Sequence, residues 1–217
     1  MLSLHIEKRV MQSLEQYVES AIISRYRTFD KAHDISHVRA VIEESLSLAA
    51  LYGADADMVY VVAAYHDVGM PYGREQHHIH SARILMEDEH LRQWFTTDQL
   101  LIMKEAIEDH RASSKHAPRT IYGCIVADAD RDLEADKVIL RTMQYGQSHY
   151  SGMDKEQMYA RTLSHLKEKY AEGGYLTLYL PCGKAQRQLE HLRSVIADEN
   201  RLRQYFDSLY VRLSQEQ

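Results

Sequence analysis

Histidine and aspartate residues that could bind a metal recur in short motifs along the first 135 residues of the chain. In chain order these motifs are HDISHV with His37, AAYHDVG with His66 and Asp67, HHIHSARIL with His80, IEDHRAS with His110, and VADADRD with Asp128 and Asp130. Nine of the 13 histidines fall between positions 33 and 116. Imidazole nitrogens and carboxylate oxygens suit Mn, Fe, Ni and Zn, and Mg less well. The motifs therefore point to divalent metal chemistry.

Cysteine is almost absent, which limits the kind of site. The two cysteines, Cys124 and Cys182, share no short spacing. This pattern predicts neither a disulfide framework nor a cysteine-type zinc site.

Each motif must be positioned by a helix, because apolar residues recur at three- and four-residue steps along most of the chain. Helices are predicted over 3–28, from a cap at Asp34 or Ser36 to Gly53, over 55–68, within 77–91, from Thr96 to about Arg111, from Pro118 onward, and near 184–213. The YLTLYLP stretch after Gly174 could be extended. The chain is expected to be all-α, with a metal site assembled where several helices meet.

Composition describes an ordinary soluble globule. The chain has 217 residues, with 27% charged residues, 45% apolar residues and a net charge of −6. A mildly acidic chain without a basic, aromatic groove is a poor binder of nucleic-acid polymers or anionic membranes. The longest apolar run, Met58–Tyr65, has eight residues, far fewer than the roughly 20 that span a bilayer. Charged residues within 5–9 argue against a signal peptide, so a cytoplasmic location is expected.

The ordered set of motifs resembles the HD-domain superfamily of metal-dependent phosphohydrolases. The family pattern is H…HD…D, often with two further histidines before the last aspartate. The resemblance covers about residues 30–135. It implies a single HD-type helical bundle over 1–217, with a motif core at about 30–135 and a helical C-terminal extension at about 136–217.

The resemblance also implies roles for individual residues. One divalent metal would be bound by His37, His66, Asp67 and Asp130. Asp128 is the alternative to Asp130, because both follow an alanine, although only one should reach the metal. Asp67 would be catalytic, as both a ligand and a proton acceptor.

Further residues would surround that first metal. His80 and His110 would bind a second metal or the substrate phosphate. Arg111 could neutralise phosphate charge, and His33 could orient a ligand. Surface positions at helix ends are the alternative for these last two residues.

The implied function is hydrolysis of a small phosphorylated substrate by a metal-activated water. The substrate is expected to be a nucleotide, cleaved at a phosphomonoester, phosphodiester or pyrophosphate bond, with one or two Mn, Mg, Fe, Ni or Zn ions as cofactor. An HD-like di-iron oxygenase and a non-catalytic nucleotide-sensing module are the alternatives. The long C-terminal apolar stripe could pack on its own core or on a second copy in a homo-oligomer.

Overall fold

The computed structural model describes residues 14–30, 33–114, 116–150 and 152–215. Its contacts divide the chain into two compact units, the first ending at Asp130 and the second beginning at Arg131. Within the described residues every regular element is helical and no strand occurs, so the expected all-α class is confirmed. No helix among them is both long enough and apolar enough to cross a membrane.

Five α-helices of the first unit lie wholly within the described residues, and they are numbered in chain order. They are α1 (Ile35–Tyr52), α2 (Ala56–Tyr65), α3 (His77–Glu87), α4 (Thr97–Asp109) and α5 (Ile121–Ala129). Helix α2 is central, because its last residues from Val61 to Tyr65 are fully buried and it packs against α1, α4 and α5. A helix that is apolar on all sides must be enclosed in this way.

Side-chain caps set where these helices begin. Asp34 accepts hydrogen bonds from the backbone N–H groups of Ser36 and His37, and Asp55 caps α2 in the same way. Thr96 forms a capping box at α4, and Thr120 caps α5. Such caps satisfy backbone donors that the first helical turn leaves unpaired. Helix α5 thus begins at Ile121, three residues after the predicted start at Pro118.

The first predicted helix differs most from the structure. Residues 1–13 of the 3–28 segment lie outside the described residues. In the remainder, residues 14–17 are α-helical and are followed by a π-helix (Val18–Ile22) and then a 3₁₀-helix (Ile23–Thr28). The hydroxyl groups of Ser20 and Ser24 donate to backbone carbonyls four residues earlier, a contact that distorts α-helices.

The second unit contains α6 (Ala135–His149), α7 (Lys155–Tyr170), α8 (Lys184–Ala197) and α9 (Glu199–Gln215) around an apolar core. The single helix predicted near 184–213 is therefore two helices. Asp198 separates them, because its carboxylate accepts from the backbone N–H of Arg201 and starts the second helix. The stretch 175–181 forms no strand.

Candidate metal centre

The centre begins at the end of α2, where the helix stops three residues earlier than predicted. His66 follows the last helical residue, and residues 66–69 form a turn. The buried hydroxyl of Tyr26 fixes this turn: it donates to the carbonyl of Ala64 and accepts from the backbone N–H of Asp67. His66 and Asp67 are adjacent in sequence, and the turn directs both of their side chains toward the same donor group.

A tight packing contact holds α3 against the same turn. A Cβ atom on Gly69 would lie 2.3 Å from the carbonyl oxygen of His77 and 2.6 Å from the backbone nitrogen of Ser81. The Gly69 N–H also donates to the hydroxyl of Ser81 at 2.8 Å. Only glycine permits this approach, which brings the first residue of α3, His77, to Asp67.

The first group of donors consists of His37, His66 and Asp67. Nε2 of His66 lies 3.2 Å from Nε2 of His37 and 3.2 Å from Oδ2 of Asp67. Asp130, at the end of α5, adds an oxygen 3.2 Å from Nε2 of His37 and 3.8 Å from Nε2 of His66. Four donors from three segments thus converge within reach of one ion.

The second group of donors consists of Asp67, His77 and His110. Nε2 of His77 lies 3.1 Å from Nε2 of His110 and 3.1 Å from Oδ1 of Asp67. Nε2 of His110 lies 3.7 Å from the same oxygen. The two groups share Asp67, which directs Oδ2 toward the first and Oδ1 toward the second.

Three of the four histidines are oriented by the same local hydrogen bond. Nδ1 of His66, His77 and His110 lies 2.7, 2.8 and 2.6 Å from the carbonyl oxygen three residues earlier. A carbonyl oxygen can only accept, so each Nδ1 carries a proton and the neutral ring leaves a lone pair on Nε2. That tautomer is the one a metal-binding imidazole requires.

These tautomers make the donor set fit a metal. The Nε2 lone pairs of His77 and His110 face each other at 3.1 Å, a repulsive arrangement unless a cation lies between them. Helices α2, α4 and α5 also end at His66, His110 and Asp130 respectively. Helix C-termini carry partial negative charge and so favour a cation. The His and Asp cluster therefore suits a divalent metal ion.

Where no metal is bound, protonation of His37 balances the negative charge of the nearby carboxylates. Burial opposes the charge of His37, but the carboxylates of Asp130 and Asp67 outweigh it and raise the pKa of His37 to about 10. Burial would raise the pKa of Asp67, yet the imidazoles of His66, His110 and His37 hold it well below its usual range. Burial and the neighbouring His110 lower the pKa of His77 to about 4.

His77, which no sequence motif singled out, belongs to the second donor group, whereas the predicted His80 does not. The ring of His80 stacks on Tyr72 instead, with ring centroids 4.9 Å apart. The periodicity of α3 carries the signal that identifies His77, because residues 77, 81 and 85 are buried on one face whereas His80 is not on it.

The other predicted site residues lie around the donor groups. His33 contacts the ring of His37 edge-on, with its Nδ1 2.8 Å from Oδ1 of Asp30. Arg111 donates to the carbonyl of Glu75. Asp128 is buried inside α5, whereas Asp130 follows the helix and contacts both histidines of the first group.

Comparison with known proteins agrees with this architecture. The HD domain family model matches residues 34–134. Bacillus subtilis YpgQ, solved in complex with ADP, is similar in structure with a TM-score of 0.52 at 17% identity, covering 95% of each chain. A predicted HD superfamily hydrolase from an uncultured Thermotogales bacterium has a TM-score of 0.47 at 22% identity, covering 72% of this chain and 87% of that one. No curated protein matches the chain. The similarity to the HD domain family is therefore carried by residues 34–134, which include every donor of both groups.

Proposed function

We propose that the chain is a metal-dependent phosphohydrolase that acts on a small phosphorylated substrate. The observation that carries the proposal is the arrangement of imidazole pairs around the single carboxylate of Asp67. The first ion would be held by His37, His66, Asp67 and Asp130, and the contacts of Asp130 favour it over Asp128. A second ion would be held by Asp67, His77 and His110.

Divalent ions at such a site would act as Lewis acids and lower the pKa of bound water toward neutrality. The residues of this chain would supply the geometry. Asp67 is the proposed catalytic carboxylate, because its two oxygens lie between the two donor groups. Asp130 is the more accessible carboxylate, with 27% of its side chain exposed, and so borders the approach from solvent.

A nucleotide is the proposed substrate class. The family resemblance favours it, and YpgQ, which shares the fold, was solved with ADP. The bond that is cleaved would be a phosphomonoester, phosphodiester or pyrophosphate bond.

A direct test measures bound metal and hydrolysis together. Protein purified without chelators would be analysed for metal content and assayed on nucleotide mono-, di- and triphosphates with Mn, Mg, Fe, Co, Ni or Zn. We expect His37→Gln and Asp130→Asn to lose activity by about 100-fold or more, beyond the 10–100-fold typical of residues that only support a ligand. His191→Gln, at an exposed position in α8, is the matched control and should retain full activity. Hydrolysis that survives in both donor variants would contradict the proposal.

A di-iron oxygenase is the second candidate function, favoured by the carboxylate shared between two imidazole pairs. Iron loading under anaerobic conditions separates the candidates, because hydrolysis needs no oxygen. A product that forms only after oxygen is admitted would support the oxygenase. Tight nucleotide binding without turnover of any substrate would instead support a sensing module.

A further inference from the structure

A cavity of about 710 Å³ lies beside the start of α3 and the segment that follows α4. Its polar lining includes His78, Arg111, Ser113, Ser114 and His116. None of the described residues that line it belongs to the two donor groups. Its volume is within the range of pockets that hold small organic ligands. The cavity is therefore a separate place where a ligand could bind.

The acidic residues of this cavity are already paired. The buried carboxylate of Asp109 accepts from the backbone N–H of Arg119 at 2.8 Å and from its Nε at 2.9 Å. Glu108 is bridged by Lys104 at 2.6 Å and by Arg119 at 2.8 Å. These ion pairs neutralise the carboxylates, so they offer little repulsion to an anion.

The basic side chains of the cavity keep donors available. Arg111 donates one N–H to the carbonyl of Glu75, a neutral acceptor, whereas a guanidinium has five donors. Nδ1 of His78 is buried and has no hydrogen-bond partner among the described residues. A buried polar atom without a partner is costly, and rotation of this cavity-lining imidazole toward a ligand would remove that cost.

We propose that this cavity is a second ligand site that binds a small organic molecule through a phosphate group. Arg111, His78 and the hydroxyl of Ser113 would donate hydrogen bonds to the phosphate, whose oxygens can accept several at once. The apolar wall formed by Ile79 and Ala117 would contact the organic part of the ligand. The proposal does not depend on hydrolysis at the metal centre.

The test is calorimetric titration of the full-length protein with AMP and inorganic phosphate in the presence of EDTA. The chelator removes phosphate binding through metal ions at the donor groups. We expect AMP to bind, adenosine not to bind, and both Arg111→Gln and His78→Gln to weaken AMP binding by about 10-fold or more.

Matched controls separate this site from the metal centre. Arg92→Gln and His90→Gln make the same chemical changes outside the cavity, and His37→Gln alters the first donor group. All three should bind AMP as the wild type does. The proposal is overturned if neither AMP nor phosphate binds at about 10 mM, if binding requires metal or His37, or if both cavity variants bind AMP normally. AMP binding that persists with EDTA in a protein without hydrolytic activity would refute the proposed function alone.

Discussion

The carboxylate of Asp67 is the residue on which the centre depends most, because each of its oxygens faces a different imidazole pair. It lies in a turn after a buried helix and is itself 3% exposed. A carboxylate placed there without cations around it would be strongly disfavoured by burial. Its surroundings are thus built for positive charge, whether from protons or from metal ions.

Metal stoichiometry should distinguish His77 from His80. We expect His77→Gln to lose the second metal equivalent. Nε2 of His77 lies 3.1 Å from Nε2 of His110 and 3.1 Å from Oδ1 of Asp67. His80→Gln makes the same change three residues away and should keep both equivalents, because His80 stacks on Tyr72. Metal analysis after dialysis measures the difference. One equivalent in the wild type would contradict a two-metal centre.

The two late aspartates can be separated in the same way. Asp130→Asn should weaken binding of the first metal by about 10-fold or more, because it replaces a charged oxygen beside His37 with a neutral one. Asp128→Asn should leave metal affinity near that of the wild type. Competition with a fluorescent metal chelator measures both affinities, and circular dichroism checks that Asp128→Asn is folded. Equal losses in the two variants would contradict the assignment.

At the residue scale, the sequence predicted most of the donors but not their pairing. The motif contexts of His37, His66, Asp67 and His110 identified residues that the structure brings together. The sequence predicted His80 alone, because telling His77 from His80 requires the helical register of α3, which three closely spaced histidines obscure. Register is set by packing of Ser81 and Leu85, a property of the folded core rather than of the motif.

At the scale of elements, the centre is made from helix ends rather than helix faces. His37 lies in the first turn of α1, His77 begins α3, and His66, His110 and Asp130 follow the last residues of α2, α4 and α5. Each helix must begin or end at its observed residue for the donor atoms to lie within reach of the same ion. Caps and turns therefore matter to the centre as much as the apolar faces do.

The turn at Gly69 provides a test at this scale. We expect Gly69→Ala to destabilise the fold by more than Gly53→Ala, because its Cβ would collide with backbone atoms of α3. Gly53 has open space around it and a φ of 66°. Alanine there should therefore lower the free energy of unfolding only by the about 1–2 kcal/mol that a left-handed backbone costs a residue with a Cβ atom. Urea unfolding of both variants measures the free energies. A smaller loss for Gly69→Ala would show that α3 can move away without cost.

Helix boundaries were the least predictable feature of the elements. Periodicity identified α1 and α4 because their apolar faces are buried against neighbours. The segment over 55–68 is apolar almost all round, so its length and the stop signal after Val68 predicted α2 instead. It merged α8 and α9, since the apolar period continues through Asp198 while the backbone does not. Local hydrogen bonds, such as the cap that Asp198 provides for α9, decide such breaks.

At the scale of the whole molecule, the all-α class followed from the sequence. The resemblance put the end of the motif core at about residue 135, and the contacts divide the chain at Asp130. Apolar periodicity continues on both sides of that point, and no polar linker marks it. The contacts that define two units join residues far apart in the chain. Composition and local sequence pattern do not determine such long-range contacts.

Stability of the metal-free protein should depend on pH through His37. The folded pKa is about 10 against an ordinary value of 6.5, so protonation stabilises the fold fully below about pH 6.5. That contribution should be lost as the pH rises through 10. The difference in unfolding free energy between wild type and His37→Gln, measured in urea with EDTA, should therefore shrink from pH 6 to pH 10. A difference that stays constant would contradict the charged pairing of His37 with Asp130.

The hydrogen bonds from Nδ1 to a carbonyl three residues earlier have a consequence for the order of events in a cell. Each of these rings is oriented by its own turn of backbone, so folding alone aims His66, His77 and His110. The entropy of fixing these side chains is lost as the chain folds, before any ion arrives. A newly made chain would thus fold first and be metallated afterwards. Because selectivity among divalent metals depends on metal availability as well as on geometry and ligand type, the supply at that moment would help to decide which ion the chain acquires.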